Sequence, residues 1–276
     1  MSLHGRVALI TGAARGQGRS HALRLAADGA AIIGIDVCAD IDSTGYPMAT
    51  RTELDETVAL VAERGGTMLA SVADVRDFDA LAGAVDAGVA HFGRLDVVLA
   101  NAGIATMAFR ELTLAEELRQ WTDVLDVNLV GAFHTAKAAL PHLLAGDRGG
   151  AIVFTSSTAG LKGFGGTQGG GLAYAASKHG IVGLMRTLAN ALAPHGIRVN
   201  TVHPTAVDTM MATNDQMQDF LRSHPEGGGP HLANPMPVEM LAPEDVSAAI
   251  AYLVSDDARY VTGVTFPVDA GFCNKL

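Results

Sequence analysis

The stretch VALITGAARGQGRSHALRLAADGAAIIGID, Val7–Asp36, decides the fold. Val7–Thr11 is a short apolar run that stops at a glycine, the pattern of a parallel strand buried on both faces. Gly16–Asp28 carries Ala22, Leu23, Leu25 and Ala26 on one face and meets Gly29, which predicts a helix and its stop. Ala31–Ile35 is a second buried strand, ending at Asp36. Gly12, Gly16 and Gly18 lie where strand turns into helix. Glycines there let the backbone turn tightly and approach a pyrophosphate, and the helix N-terminus offers free N–H groups. Asp36, at the end of the second strand, is placed to accept hydrogen bonds from the adenosine ribose. Its charge would repel a 2′-phosphate, by ~1 kcal/mol at ~4 Å in water and ~4 kcal/mol at an effective dielectric of about 20. NAD is therefore expected rather than NADP. Arg15 is the counterweight, since a guanidinium can approach such a phosphate. The plain alternative for Asp36 is a helix cap or a surface acid.

The alternation continues outward from this unit. Strands are predicted at Thr67–Ser71, Leu95–Ala100, Ala151–Thr155, Arg198–His203 and Val264–Val268. Helices are predicted at Phe78–His91, Leu114–Leu144 (one long or broken helix), Tyr174–Ala193 and Pro243–Ser255. Seven strands alternating with helices imply one α/β domain with a doubly wound parallel sheet covered on both faces. Two stretches interrupt the pattern. Cys38–Ala49 fills a strand-to-helix connection that is ordinarily ~2–6 residues long. Thr50 and Glu53 then form a capping box that opens a helix through about Arg64. This insertion, 37–50, is read as a loop near the adenine, with surface decoration as the bland alternative. The second stretch, 208–241, contains the Gly, Pro and His-rich segment Ser223–Pro237 and is read as a substrate lid. Met210, Met211, Met217, Phe220, Met236 and Met240 suit a hydrophobic alcohol or ketone, though Met at such spacings also packs helices.

Composition excludes several classes. The net charge of −10 and the lack of any Lys/Arg run argue against nucleic acid. No apolar run approaches the ~20 residues that span a membrane. Cys38 and Cys273 lie far apart, with no metal-ligand spacing, as expected of reduced thiols in a cytoplasmic protein. None of the ten histidines has a ligand-like pattern; His179 is expected to be structural or exposed, and His224 and His231 lie in the lid.

Tyr174 and Lys178, four residues apart at the start of a predicted helix, share one face. Moving a proton to or from an alcohol oxygen needs a tuned acid/base. Bringing a phenol from ~10 to neutrality takes ~4 kcal/mol, and a neighbouring ammonium works in that direction. Ser156 and Ser157 end the fifth strand, where a hydroxyl can hold the substrate oxygen.

Thr11–Gly18, Asn101-Ala102-Gly103, Asn128, Ser157 and Tyr174-Ala175-Ala176-Ser177-Lys178 stand in the order of the short-chain dehydrogenase/reductase family, which the whole chain resembles. The resemblance implies a single seven-stranded Rossmann domain. It implies an NAD(H)-dependent alcohol dehydrogenase/carbonyl reductase, with hydride passing between nicotinamide and a carbinol carbon. It assigns Tyr174 as general acid/base, Lys178 to the nicotinamide ribose and to lowering the Tyr174 pKa, and Asn128 to a water that completes a proton relay. The pattern Ser157-Thr158-Ala159-Gly160 favours Ser157 over Ser156 as the residue that orients substrate. Gly12, Arg15, Gly16, Gln17, Gly18, Asp36, Val37, Asp74, Val75, Asn101, Ala102 and Gly103 fall to the cofactor. Pro204 matches the family's Pro-Gly turn, but Thr205 replaces the glycine; Thr205, Val207 and Thr209 are assigned to the carboxamide and pyrophosphate. A homotetramer is implied.

The opening and the insertion also resemble an actinobacterial branch, similar to carveol dehydrogenase and associated with the redox cofactor mycofactocin. That resemblance implies an NAD held too tightly to exchange and an external electron acceptor. Two rivals stay open: an NADPH-dependent ketoacyl-type reductase, disfavoured by Asp36, and a non-catalytic NAD-sensing protein, disfavoured by the intact Ser157, Tyr174 and Lys178.

Overall fold

A computed structural model describes residues 2–106, 110–163, 166–215, 217 and 233–275. Seven parallel strands form one sheet: β1 (Val7–Thr11), β2 (Ala31–Asp36), β3 (Thr67–Val72), β4 (Val97–Ala100), β5 (Gly150–Thr155), β6 (Ile197–Pro204) and β7 (Thr265–Val268). Their order is β3-β2-β1-β4-β5-β6-β7. The order reverses between β1 and β4, so a crevice opens at their carboxyl ends, where ligands bind in open α/β sheets.

Alternation within the strands builds two cores. Leu9, Ile33, Val98, Ile152 and Val199 face one side, against α3 (Phe78–Phe92), α5 (Gly131–Gly146) and α6 (Gly169–Leu192). Ala8, Ile10, Ile32, Leu99 and Val153 face the other, against α1 (Gly16–Ala27), α2 (Arg51–Glu63) and a late helix, α8 (Pro243–Val254), which follows a one-turn α7 (Met210–Thr213). The five central strands are thus apolar on both faces, as their sequences read, while the edge strands β3 and β7 stay partly exposed.

One helix takes the broken form that the sequence allows, and another starts earlier than expected. The 114–146 region is broken: α4 (Leu114–Leu125) passes through a π-helical turn, Asp126–Val130, before α5. Asn128 sits in that turn, fully buried. α6 begins at Gly169, five residues before Tyr174, so Gly169–Gly171 is helix rather than loop. The reason is close packing. A Cβ on Gly169 would lie 2.4 Å from the Glu117 carbonyl oxygen, and one on Gly170 2.2 Å from that of Thr106. Glycine's poor helix propensity is overridden because only glycine lets the two chains approach this closely.

α1 meets α8 through a buried polar cluster. His21 Nδ1 lies 2.7 Å from Ser247 Oγ, which is 2.8 Å from Ser20 Oγ. Burial pushes the His21 pKa down to about 3. The unfolded chain takes up this proton near pH 6.5 and the folded chain does not. Between those values the unfolded state binds more protons, so stability falls as pH falls. The loss is ~1.4 kcal/mol per pH unit from this group. The melting temperature should therefore drop between pH 6 and pH 4 in wild type, and less steeply in His21→Gln. Parallel curves would show that His21 is not the cause.

Candidate active site

The cleft at the carboxyl ends of β1 and β4 has a volume of about 940 Å³, its open mouth included. Its floor is the glycine loop. Gly12 (φ +70°) and Gly16 (φ +54°) adopt the left-handed conformation that glycine tolerates. Gly18 abuts the loop's own start, because a Cβ there would sit 1.9 Å from the Gly12 carbonyl oxygen. No side chain caps α1, so its first-turn N–H groups remain available to an anion. The Gln17 Oε1 is buried and finds no partner among the described residues. Asp36 lies at the rim, with Oδ2 accepting from the Ala14 N–H at 2.9 Å. Glycine cradle, unpartnered donors, an orphaned amide oxygen and a carboxylate at the end of β2 together fit a dinucleotide.

The opposite wall follows β4. Thr11 accepts through Oγ1 from the Asn101 and Ala102 N–H groups, both at 3.2 Å, and Asn101 Nδ2 donates to the Thr11 carbonyl at 3.0 Å. This ties β1 to the Asn101–Gly103 turn. Asn128 reaches up from the π-helical turn. It accepts from the Ile104 N–H at 2.8 Å and donates to the Ile104 carbonyl at 2.9 Å and to Ser177 Oγ at 3.3 Å. Asp74 is held by Arg76 at 2.6 Å, and Arg76 approaches Asp123 on α4 at 3.6 Å.

Beyond Gly103 lie the chemical groups. Lys178 is buried; its Nζ donates to the Thr155 carbonyl at 2.9 Å and stands 5.5 Å from the centre of the Tyr174 ring. Burial pushes the Lys178 pKa down to about 8. Burial raises the Tyr174 phenol, and a hydrogen bond with the Ser157 hydroxyl pulls it back. In the protein alone, burial dominates the phenol. Ser156 turns away and donates to the Lys178 carbonyl at 2.9 Å, so Ser157 is the serine beside Tyr174.

Of the residues expected at the cofactor, Gly12, Arg15, Gly16, Gln17, Gly18, Asp36, Val37, Asp74, Val75, Asn101, Ala102, Gly103 and Thr209 line the cleft. Tyr174, Lys178, Pro204, Thr205 and Val207 are not in that lining. The Thr205 hydroxyl instead donates to Asn234 Oδ1 at 3.0 Å, and Val207 pairs with Leu241. Those contacts join the two ends of the 208–241 segment. Arg15 is also redirected: it donates to the Pro47 carbonyl and pairs with Glu53 at 3.5 Å, so it holds the 37–50 insertion rather than standing free for a phosphate. His224, His231 and Phe220 lie outside the described residues.

The sequence reading missed Tyr46. The insertion carries it into the cleft beside Ile41 and Met48. Its hydroxyl accepts from the Ala105 N–H at 3.3 Å, on the far wall. A tyrosine amid Asp, Ser and Gly was the only signal available, and it gives no direction. Among the described residues no cluster of His, Cys, Asp or Glu could hold a metal. No described helix is long and apolar enough to cross a membrane.

The family model described as enoyl-(acyl carrier protein) reductase matches residues 12–273. The chain is 48% identical to (-)-trans-carveol dehydrogenase of Rhodococcus erythropolis over 283 residues, 98% of each chain. It is 35% identical to cyclohexanol dehydrogenase of an Acinetobacter species over 272 residues, 98% of this chain and 96% of the relative. The chain belongs to the short-chain dehydrogenase/reductase family. The solved carveol dehydrogenase of Mycobacterium avium in complex with NAD superposes with a TM-score of 0.90 at 46% identity, covering 99% of each chain. A short-chain dehydrogenase of Mycobacterium paratuberculosis bound to NAD gives 0.89 at 40% identity over 100% of each.

Proposed function

We propose that the protein is an NAD(H)-dependent oxidoreductase acting on a hydrophobic secondary alcohol or its ketone. The observation that carries this reading is the cluster just beyond Gly103 of the glycine-floored cleft, where the Lys178 ammonium donates to the Thr155 carbonyl and stands 5.5 Å from the centre of the Tyr174 ring. NAD bound in the cleft supplies the acceptor and donor of hydride. Tyr174 takes the hydroxyl proton in oxidation and returns it in reduction. Ser157 orients the substrate oxygen. Lys178, an ammonium near pH 7, holds the nicotinamide ribose and stabilises the phenolate once substrate and cofactor exclude water. Asn128 spends its side chain on Ile104 and Ser177, which leaves its main chain for the relay water. Asp36 takes the adenosine ribose. Thr209 stands at the nicotinamide end, and Met210 and Met211 beside it line the cleft with apolar surface that suits a hydrophobic substrate.

The 37–50 insertion closes over the dinucleotide and slows its exchange. Support comes from its anchors at both walls, Arg15 on Pro47 and Tyr46 on Ala105, and from an internal brace, Asp40 accepting from the Met48 N–H at 2.8 Å. Turnover then relies on an external redox partner. Denaturing the purified protein and assaying NAD(H) in the supernatant tests this. Stoichiometric release from protein that did not exchange with added labelled NAD is expected; rapid exchange would rule out the closure. Steady-state assay with hydrophobic secondary alcohols and an artificial acceptor tests the activity itself.

The homotetramer is supported by Leu114, Leu118 and Trp121, exposed by 72%, 57% and 39% along one stripe of α4. Light scattering reads the assembly, and a monomer would exclude it. Free thiols at Cys38 and Cys273 suit a cytoplasmic setting.

A further inference from the structure

We infer that His203 is a positioning residue for Ser157. His203 is the penultimate residue of β6, directly before Pro204, and is fully buried. Its Nδ1 lies 2.8 Å from the Ser157 carbonyl oxygen, and its Nε2 2.7 Å from Thr201 Oγ1. A carbonyl only accepts, so Nδ1 carries the proton. Nε2 of the neutral ring then accepts from the Thr201 hydroxyl, and the tautomer follows from the network. Burial pushes the His203 pKa down to about 4, so the ring stays neutral near pH 7.

The Ser157 peptide needs such a clamp. It leaves the end of β5 in an extended conformation (φ −165°) and immediately enters the one-turn segment Thr158–Gly160. Its hydroxyl accepts from the Ala159 N–H at 3.2 Å and stands beside the Tyr174 phenol. Rotation of the Ser157 peptide would swing Oγ away from the phenol. The imidazole N–H, anchored from behind by Thr201, fixes that peptide plane. β6 therefore contributes to substrate orientation without touching substrate. The sequence could not indicate this, because a separation of 46 positions hides the contact of the two partners across the sheet.

This inference rests on the reading of Ser157 as the residue that orients substrate. Two substitutions of similar polarity separate the roles. In His203→Asn the amide nitrogen falls where Nδ1 lies and can still donate to Ser157. In His203→Gln the amide reaches toward Thr201 and leaves the Ser157 carbonyl without a donor. His203→Gln should lower kcat about tenfold, the scale of one lost buried hydrogen bond, with NAD affinity measured by calorimetry unchanged. His203→Asn should restore most of the rate. In a Ser157→Ala background, His203→Gln should cost little more, because the two residues act as one unit. Equal rates for the Asn and Gln variants, a full Gln penalty without Ser157, or loss of NAD binding in the Gln variant would each overturn the positioning role. A Ser157→Ala variant with wild-type turnover would instead overturn the reading of Ser157 itself.

Discussion

Tyr174→Phe is expected to lower kcat/KM by ~10²–10⁴-fold, the range attributed to a positioned general acid/base, while NAD binding changes little. Tyr174 is half-buried, and its ring packs against the core that supports α6. Phenylalanine keeps that ring and removes only the hydroxyl, so the fold and the cofactor cleft should persist. What disappears is the proton acceptor and the partner of Ser157. No nearby side chain can substitute. Lys178 is committed to the Thr155 carbonyl, and Tyr46 bonds to the Ala105 N–H. Burial also pushes the Tyr46 phenol up to about 12, which suits it poorly as a base near neutrality. Steady-state kinetics paired with calorimetric titration of NAD make the test. Turnover within a few fold of wild type would remove Tyr174 from the chemistry.

Gly18→Ala should abolish cofactor binding for a different reason. The added Cβ would lie 1.9 Å from the Gly12 carbonyl oxygen and 2.7 Å from its carbon. Both obstacles are backbone, so relief requires the loop itself to move. Overpacking of this kind commonly costs ~1–3 kcal/mol of stability. The displacement also falls on the surface that would face the pyrophosphate, and a shift of ~1 Å in a positioning element can cost ~10²-fold. NAD affinity should fall by at least that factor. Gly83→Ala is the matched control. Gly83 lies within α3 with open space around its Cβ direction, and alanine there should raise stability by up to ~1 kcal/mol. Equal NAD affinity in the two variants would show that the close approach at Gly18 is not needed.

Both predictions begin from motifs visible in the chain, yet the two ends of the site were legible to different degrees. The glycine turn and Asp36 were readable because strand, turn and helix are contiguous, and their spacing alone places a carboxylate at the rim. Lys178 beside Tyr174 was readable from helical periodicity. The electrostatic balance between them was not: burial dominates the phenol, and burial is a property of the packed whole. Arg15 reads as a phosphate counterweight in the sequence. In the fold it belongs to Pro47 and Glu53, because the insertion turns back across the glycine loop.

By itself, the sequence determined the order of elements, the doubly wound parallel sheet and the identity of the groups that carry charge and protons. These follow from local periodicity, turn chemistry and spacing within one helix or one strand-to-helix turn. Only the tertiary structure decided that Gly169 starts α6, that Ser157 rather than Ser156 meets Tyr174, that Tyr46 spans the cleft, and that His203 stands behind Ser157. Each of these depends on which segments the sheet brings within a few ångströms of one another. Distance along the chain carries no information about such contacts until the core closes and fixes them.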